Sequence, residues 1–84
     1  MKKMYGIRKK SSGRYLIRLV EWYWGDWSKD KRKIGWNIVG GKGREFFEDI
    51  VEKSGKKDWE VVEIEYSDDD LKWMLEKRVE NFLK

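Results

Sequence analysis

The chain has 84 residues and a mass of 10.3 kDa, enough for one domain with a single modest core and too little for an enclosed active site. It has no cysteine and no histidine, which excludes disulfides, thiolate zinc sites and thiol nucleophiles and removes the commonest general base and metal ligand. The net charge of +4 conceals a dipole: residues 1–44 carry 13 Lys and Arg against 3 Asp and Glu, a net of +10, whereas residues 45–84 carry 7 against 13, a net of −6.

Residues 4–10 are predicted as a first strand, with Tyr5, Ile7 and Lys9 on one face and Met4, Gly6, Arg8 and Lys10 on the other. The small polar turn Ser11-Ser12-Gly13 joins it to a second strand at residues 14–24, because glycine supplies the positive φ of a hairpin turn at little cost. Tyr15, Ile17 and Leu19 fall on one side of that strand, and Leu16, Arg18, Val20, Trp22 and Trp24 on the other. Both sides are apolar, so alternation alone leaves open which is buried.

Residues 25–33 read as a polar loop that ends in the cations Lys31, Arg32 and Lys33 and carries Trp27, a side chain more useful to a partner than to a solvated loop tip. A third strand is expected at residues 33–39, then a glycine-rich turn. Lys42, Gly43 and Arg44 stand before the helix of residues 45–54 and could hold an anion on free backbone N–H groups, although a plain strand-to-helix turn explains them as well. Phe46, Phe47, Ile50 and Val51 form the apolar face of that helix, and Gly55 ends it.

Residues 59–66 are predicted as a fourth strand, Val62, Ile64 and Tyr66 sharing a dry face opposite Glu63 and Glu65. Ser67 and Asp70 have the spacing of a capping box, and Asp68 and Asp69 complement the dipole of the last helix, whose stripe of Leu71, Met74, Leu75, Val79, Phe82 and Leu83 reads as core. Capping accounts for these acids better than a Mg²⁺ site with Glu63 or Glu65, since consecutive residues at a helix start diverge. No metal site and no cofactor are expected.

The stretch Gly6-Ile7-Arg8-Lys9-Lys10-Ser11-Ser12-Gly13-Arg14-Tyr15, followed by two more strands and a helix, resembles the start of AP2-type domains and of the arm-binding domains of tyrosine recombinases, whose pattern is similar to Gly-Val-Arg-x-Arg-x-x-Gly-Lys-Trp. In that family a three-stranded sheet lies in the DNA major groove. The resemblance implies contacts from Arg8, Lys10 and Arg14 to phosphate or base edges. It covers about ten residues closely and residues 5–50 in topology.

The sequence therefore predicts a single α+β domain of order β-β-β-α-β-α, a small antiparallel sheet with both helices packed on one face. The uncovered face would display Arg8, Lys10, Arg14, Arg18, Trp22 and Trp24, joined by Trp27, Lys31, Arg32 and Lys33, as a non-enzymatic surface for DNA or RNA. The alternative is an inhibitor encoded by a phage or mobile element that binds a host defence protein complex, with the acids Glu60, Glu63, Glu65, Asp68, Asp69 and Asp70 as its nucleic-acid mimic. The long second strand leaves pairing across a homodimer open. Without an apolar run of membrane-spanning length or a signal-peptide pattern, the expected location is cytoplasmic, with no membrane partner.

Overall fold

The structure is a computed structural model that describes residues 2–21, 23–34 and 42–82, with the side chains of Asn81 and Phe82 left aside. Strands β1 (Lys2–Lys9), β2 (Tyr15–Glu21) and β3 (Trp24–Ser28) lead into a 3₁₀ turn at Lys31–Lys33, helix α1 (Arg44–Ser54), strand β4 (Trp59–Tyr66) and helix α2 (Asp68–Phe82). The four strands form one antiparallel sheet in the order β3-β2-β1-β4. The first and last strands are thus neighbours, paired without interruption from Lys2 opposite Tyr66 to Lys9 opposite Trp59. The α+β class and the element order agree with the sequence.

The β1–β2 hairpin closes where expected. Gly13 takes φ +70°, its N–H donates to the Lys9 carbonyl at 2.9 Å, and the Lys9 N–H donates to the Arg14 carbonyl at 2.8 Å. The third strand differs. It lies at Trp24–Ser28, inside the segment predicted as loop, while Lys31–Lys33 is a 3₁₀ turn and Ile34 is fully buried. Residues 35–39 of the predicted strand lie outside the described residues. An early chain reversal makes this possible, because Gly25 lies so close to β2 that a Cβ there would stand 2.3 Å from the Arg18 carbonyl oxygen and 2.7 Å from Leu16 Cδ1. Only glycine allows that approach.

The two helices do not share a face of the sheet. Phe47 and Ile50 of α1 pack on Ile7, Leu16 and Trp59, whereas Met74 of α2 packs with Ile34, Ile64 and Tyr66. Ile7 pairs with Val61 and Met4 with Ile64, so alternation sends these two sets to opposite sides. Two sequence expectations fail for one reason, which is that the strands are apolar on both sides. On β4, Trp59 and Val61 share a face with Glu63 and Glu65, so that face is half dry and α1 covers its dry half. On β2 the ladder shifts register between Leu16 and Arg18, and Leu19 joins Leu16 in the α1 cluster while Tyr15 and Ile17 join the α2 cluster. A bulge lets one strand serve both cores.

Both helix ends follow the sequence. Gly55 adopts the left-handed conformation (φ 65°) with its N–H donating to Glu52 O at 3.2 Å. At the start of α2 the Asp70 N–H donates to Ser67 Oγ and the Ser67 N–H to the Asp70 carboxylate, each at 3.1 Å, which is a capping box. These bonds, with Lys31 and Arg32 nearby, hold the Asp70 carboxyl below the usual carboxylate range. Among the described residues no helix is long and apolar enough to cross a membrane.

Candidate functional site

At the end of the sheet where β1 leaves and β4 begins, a groove of about 370 Å³ is lined by Lys9, Tyr23, Trp24, Gly25, Trp27, Lys56, Lys57, Asp58 and Trp59. Three tryptophans and three lysines therefore converge on one opening. Each arrives by a different route. Lys9 and Trp59 are opposed in the β1–β4 ladder, Trp27 pairs with Leu16 on the same face, and Lys56 and Lys57 follow directly on the glycine that ends α1. Tyr23 and Trp24 belong to the reversal between β2 and β3.

Trp59 is buried at 5% exposure, and the Trp27 ring lies edge-on to it, 5.1 Å between centroids and 66° between planes, although β2 and β1 separate their strands. Lys9 Nζ stands 4.6 Å from the Trp27 centroid, a cation over a π-face. Trp24 and Tyr23 form an exposed lip, 46% and 59% open. The Tyr23 hydroxyl donates to the Glu21 carboxylate, which raises its pKa.

Asp58, the one acid in the lining, already has partners. Ser11 donates to it twice, through its N–H at 3.0 Å and its hydroxyl at 2.5 Å, and the Lys10 N–H donates to the Asp58 carbonyl at 2.7 Å. The β1–β2 turn is thereby fastened to the groove wall. Among the described residues Lys9, Lys10, Arg14, Lys56 and Lys57 form no ion pair with a carboxylate.

The structure thus divides the cations and tryptophans singled out in the sequence. Trp24 and Trp27 come together at the groove, whereas Lys10 and Arg14 are exposed at the two ends of the β1–β2 turn and are not part of its lining. Arg8 lies on the α2 side, its guanidinium 2.6 Å from Glu60, which raises its pKa further. Arg18 pairs with Asp26 at 2.8 Å. Arg32 pairs with Asp30 at 3.0 Å and stacks 4.3 Å from the Trp73 ring, and Lys31 donates to the Glu65 carbonyl and stands 3.8 Å from Asp70. Lys33 is exposed at the end of that 3₁₀ turn, and Trp22 lies outside the described residues. At the start of α1, Gly43 caps without a side-chain bond, Arg44 pairs with Glu48 at 2.7 Å and Lys42 stands 5.1 Å from the Phe46 ring. The continuous uncovered face expected from Arg8 to Trp24 does not form, since a helix covers each side of the sheet.

The site residues expected from the sequence do not include Lys9, Tyr23, Lys56, Lys57 and Trp59. The signal that could have found the last three is local: two lysines one residue before a tryptophan, at the mouth of a strand. Among the described residues no group of three or more Asp or Glu side chains could hold a metal ion. No family model matches the chain, and comparison with curated proteins and with solved structures finds no match.

Proposed function

We propose that this chain is a non-enzymatic nucleic-acid-binding module and that the aromatic groove is its binding site. The observation that carries the reading is the convergence of Trp24, Trp27 and Trp59 with three lysines that have no carboxylate partner. A ring of aromatics alone would suit a quaternary ammonium ligand. Here three ammonium groups repel a cation, so the complementary ligand is flat and anionic at once. Nucleotides have that combination: bases for the indole faces, phosphates for Lys9, Lys56 and Lys57, with Lys10 and Arg14 extending the positive surface.

Docking of an open sheet face into the DNA major groove is not part of this reading, because α1 and α2 occupy the two faces. The competing reading, an inhibitor of a host defence complex, draws least support from the acids once offered as a mimic. Glu60 is bound to Arg8, Glu63 and Glu65 lie 3.5 and 3.7 Å from Lys3, and Asp70 caps α2.

The test is a titration with labelled single-stranded and duplex oligonucleotides at about 50 and 200 mM salt, following anisotropy and tryptophan fluorescence. About three phosphate contacts should weaken binding roughly tenfold or more across that range, with quenching. No binding to any oligonucleotide at the lower salt would overturn the reading and turn the search to an acidic protein partner.

A further inference from the structure

Building on the nucleic-acid reading above, we infer that the groove takes a single strand in preference to a duplex, with one or two unstacked bases against Trp24, Tyr23 and Trp27 and the adjoining phosphates on Lys56, Lys57 and Lys9. In a duplex the flat faces of the bases are covered by their neighbours, and only their edges are accessible from the grooves. The exposed aromatic surface here lies on Tyr23 and Trp24, which with the partly buried Trp27 line a concave opening of about 370 Å³. That is the lower end of small-molecule pocket sizes, suited to a base or two and closed to a double helix.

Two further observations point the same way. An element that reads a duplex must project into a groove about 12 Å wide. At this end of the molecule the candidate is the β1–β2 turn, and the bonds from Ser11 and Lys10 to Asp58 hold it against the groove wall. The side chain best suited to base edges is arginine, through its bidentate fork. Four of the six arginines, Arg8, Arg18, Arg32 and Arg44, are bound to carboxylates of their own chain. The groove itself offers lysines, point charges that follow a phosphate backbone without reading sequence. Stacking on indole accepts any base, so little sequence preference is expected.

The contact chemistry is common to DNA and RNA, and the experiment has an arm for each. Fluorescein-labelled oligo-dU and oligo-U of about 12 nucleotides are titrated into the full chain beside a DNA duplex of the same length. At least one single strand should bind about tenfold or more tighter than the duplex, and the tighter of the two identifies the source, because they differ only in the 2′-hydroxyl. Trp24→Ala, with folding checked by circular dichroism, should lower single-strand affinity about tenfold and leave weak duplex binding unchanged. Tyr23→Ala serves as a second variant should Trp24→Ala fail to fold. Duplex binding equal to or tighter than both single strands, or single-strand binding indifferent to the lip variant, would overturn the inference while leaving the nucleic-acid reading standing. Absence of binding to all three probes is a different failure, which removes the reading and the inference together.

Discussion

The groove and the α2 side of the sheet treat positive charge in opposite ways. On the α2 side Arg8, Lys31 and Arg32 are each held by an acid or a carbonyl of their own chain, and Arg32 also lies on the Trp73 ring. At the groove on the α1 side, Lys9, Lys56 and Lys57 have no carboxylate partner among the described residues, Lys9 resting only on the Trp27 ring, and the acid among them, Asp58, is bound to Ser11. A cation that already has an internal partner must break that contact to bind a ligand. Charge counted along a sequence therefore overstates the charge available for recognition, and what matters is the part left without internal neutralisation.

The largest expected effect breaks the groove side altogether. Trp59→Ala removes a buried ring that is both groove floor and core, and should cost about 3–5 kcal/mol of stability, measured as a lower midpoint in urea unfolding. Loss below about 1 kcal/mol would mean that Trp59 belongs to the surface.

The comparison is sharpened by exchanging charges on the two sides. The pair Lys56→Gln and Lys57→Gln should leave stability within about 0.5 kcal/mol and flatten the salt dependence of oligonucleotide binding by about two units of slope. Arg8→Gln should do the reverse, lowering stability by up to about 1 kcal/mol with no change in salt slope, because its pair with Glu60 is half-exposed. Equal salt slopes for the two sets would erase the distinction.

The smallest effect is acid sensitivity. The Arg32 guanidinium holds the Asp30 carboxyl below the usual carboxylate range, and the Ser67 backbone N–H does the same for Asp70. The folded chain then binds these two protons less readily than the unfolded one. Their stabilisation is complete above the ordinary carboxylate pKa of about 4 and fades as pH falls through the lowered values. Unfolding midpoints followed from pH 6 downward should decline in that acid range for the wild type and less for Asp30→Asn, which starts lower.

Much of this fold was legible because its signals are local. Ser67 and Asp70 mark one helix start, Gly55 one helix end and Gly13 a hairpin turn, each by a few residues of chemistry. The third strand was not, because a close approach at Gly25 determines it and no periodicity announces such a contact. Nor was the assignment of helices to faces, because both sides of β2 and β4 are apolar and the bulge after Leu16 changes which residues share a side. The groove was half legible. Trp24 and Trp27 stood out as aromatics among cations, but Lys9 and Lys57 meet only through the pairing of β1 with β4. The pairs that withdraw Arg8 and Arg18 from the surface leave no mark in a count of charges.

The adjacency of β1 and β4 also bears on how the domain forms. Eight consecutive pairs join the first residues of the chain to residues 50 to 64 positions later, so the centre of the sheet closes across a loop that contains β2, β3 and α1. Such non-local pairing slows folding relative to a helical bundle of equal length. Since Trp59, Lys56 and Lys57 arrive with β4, the basic segment alone would carry the charge without the groove. The acidic segment is then the partner that completes the site.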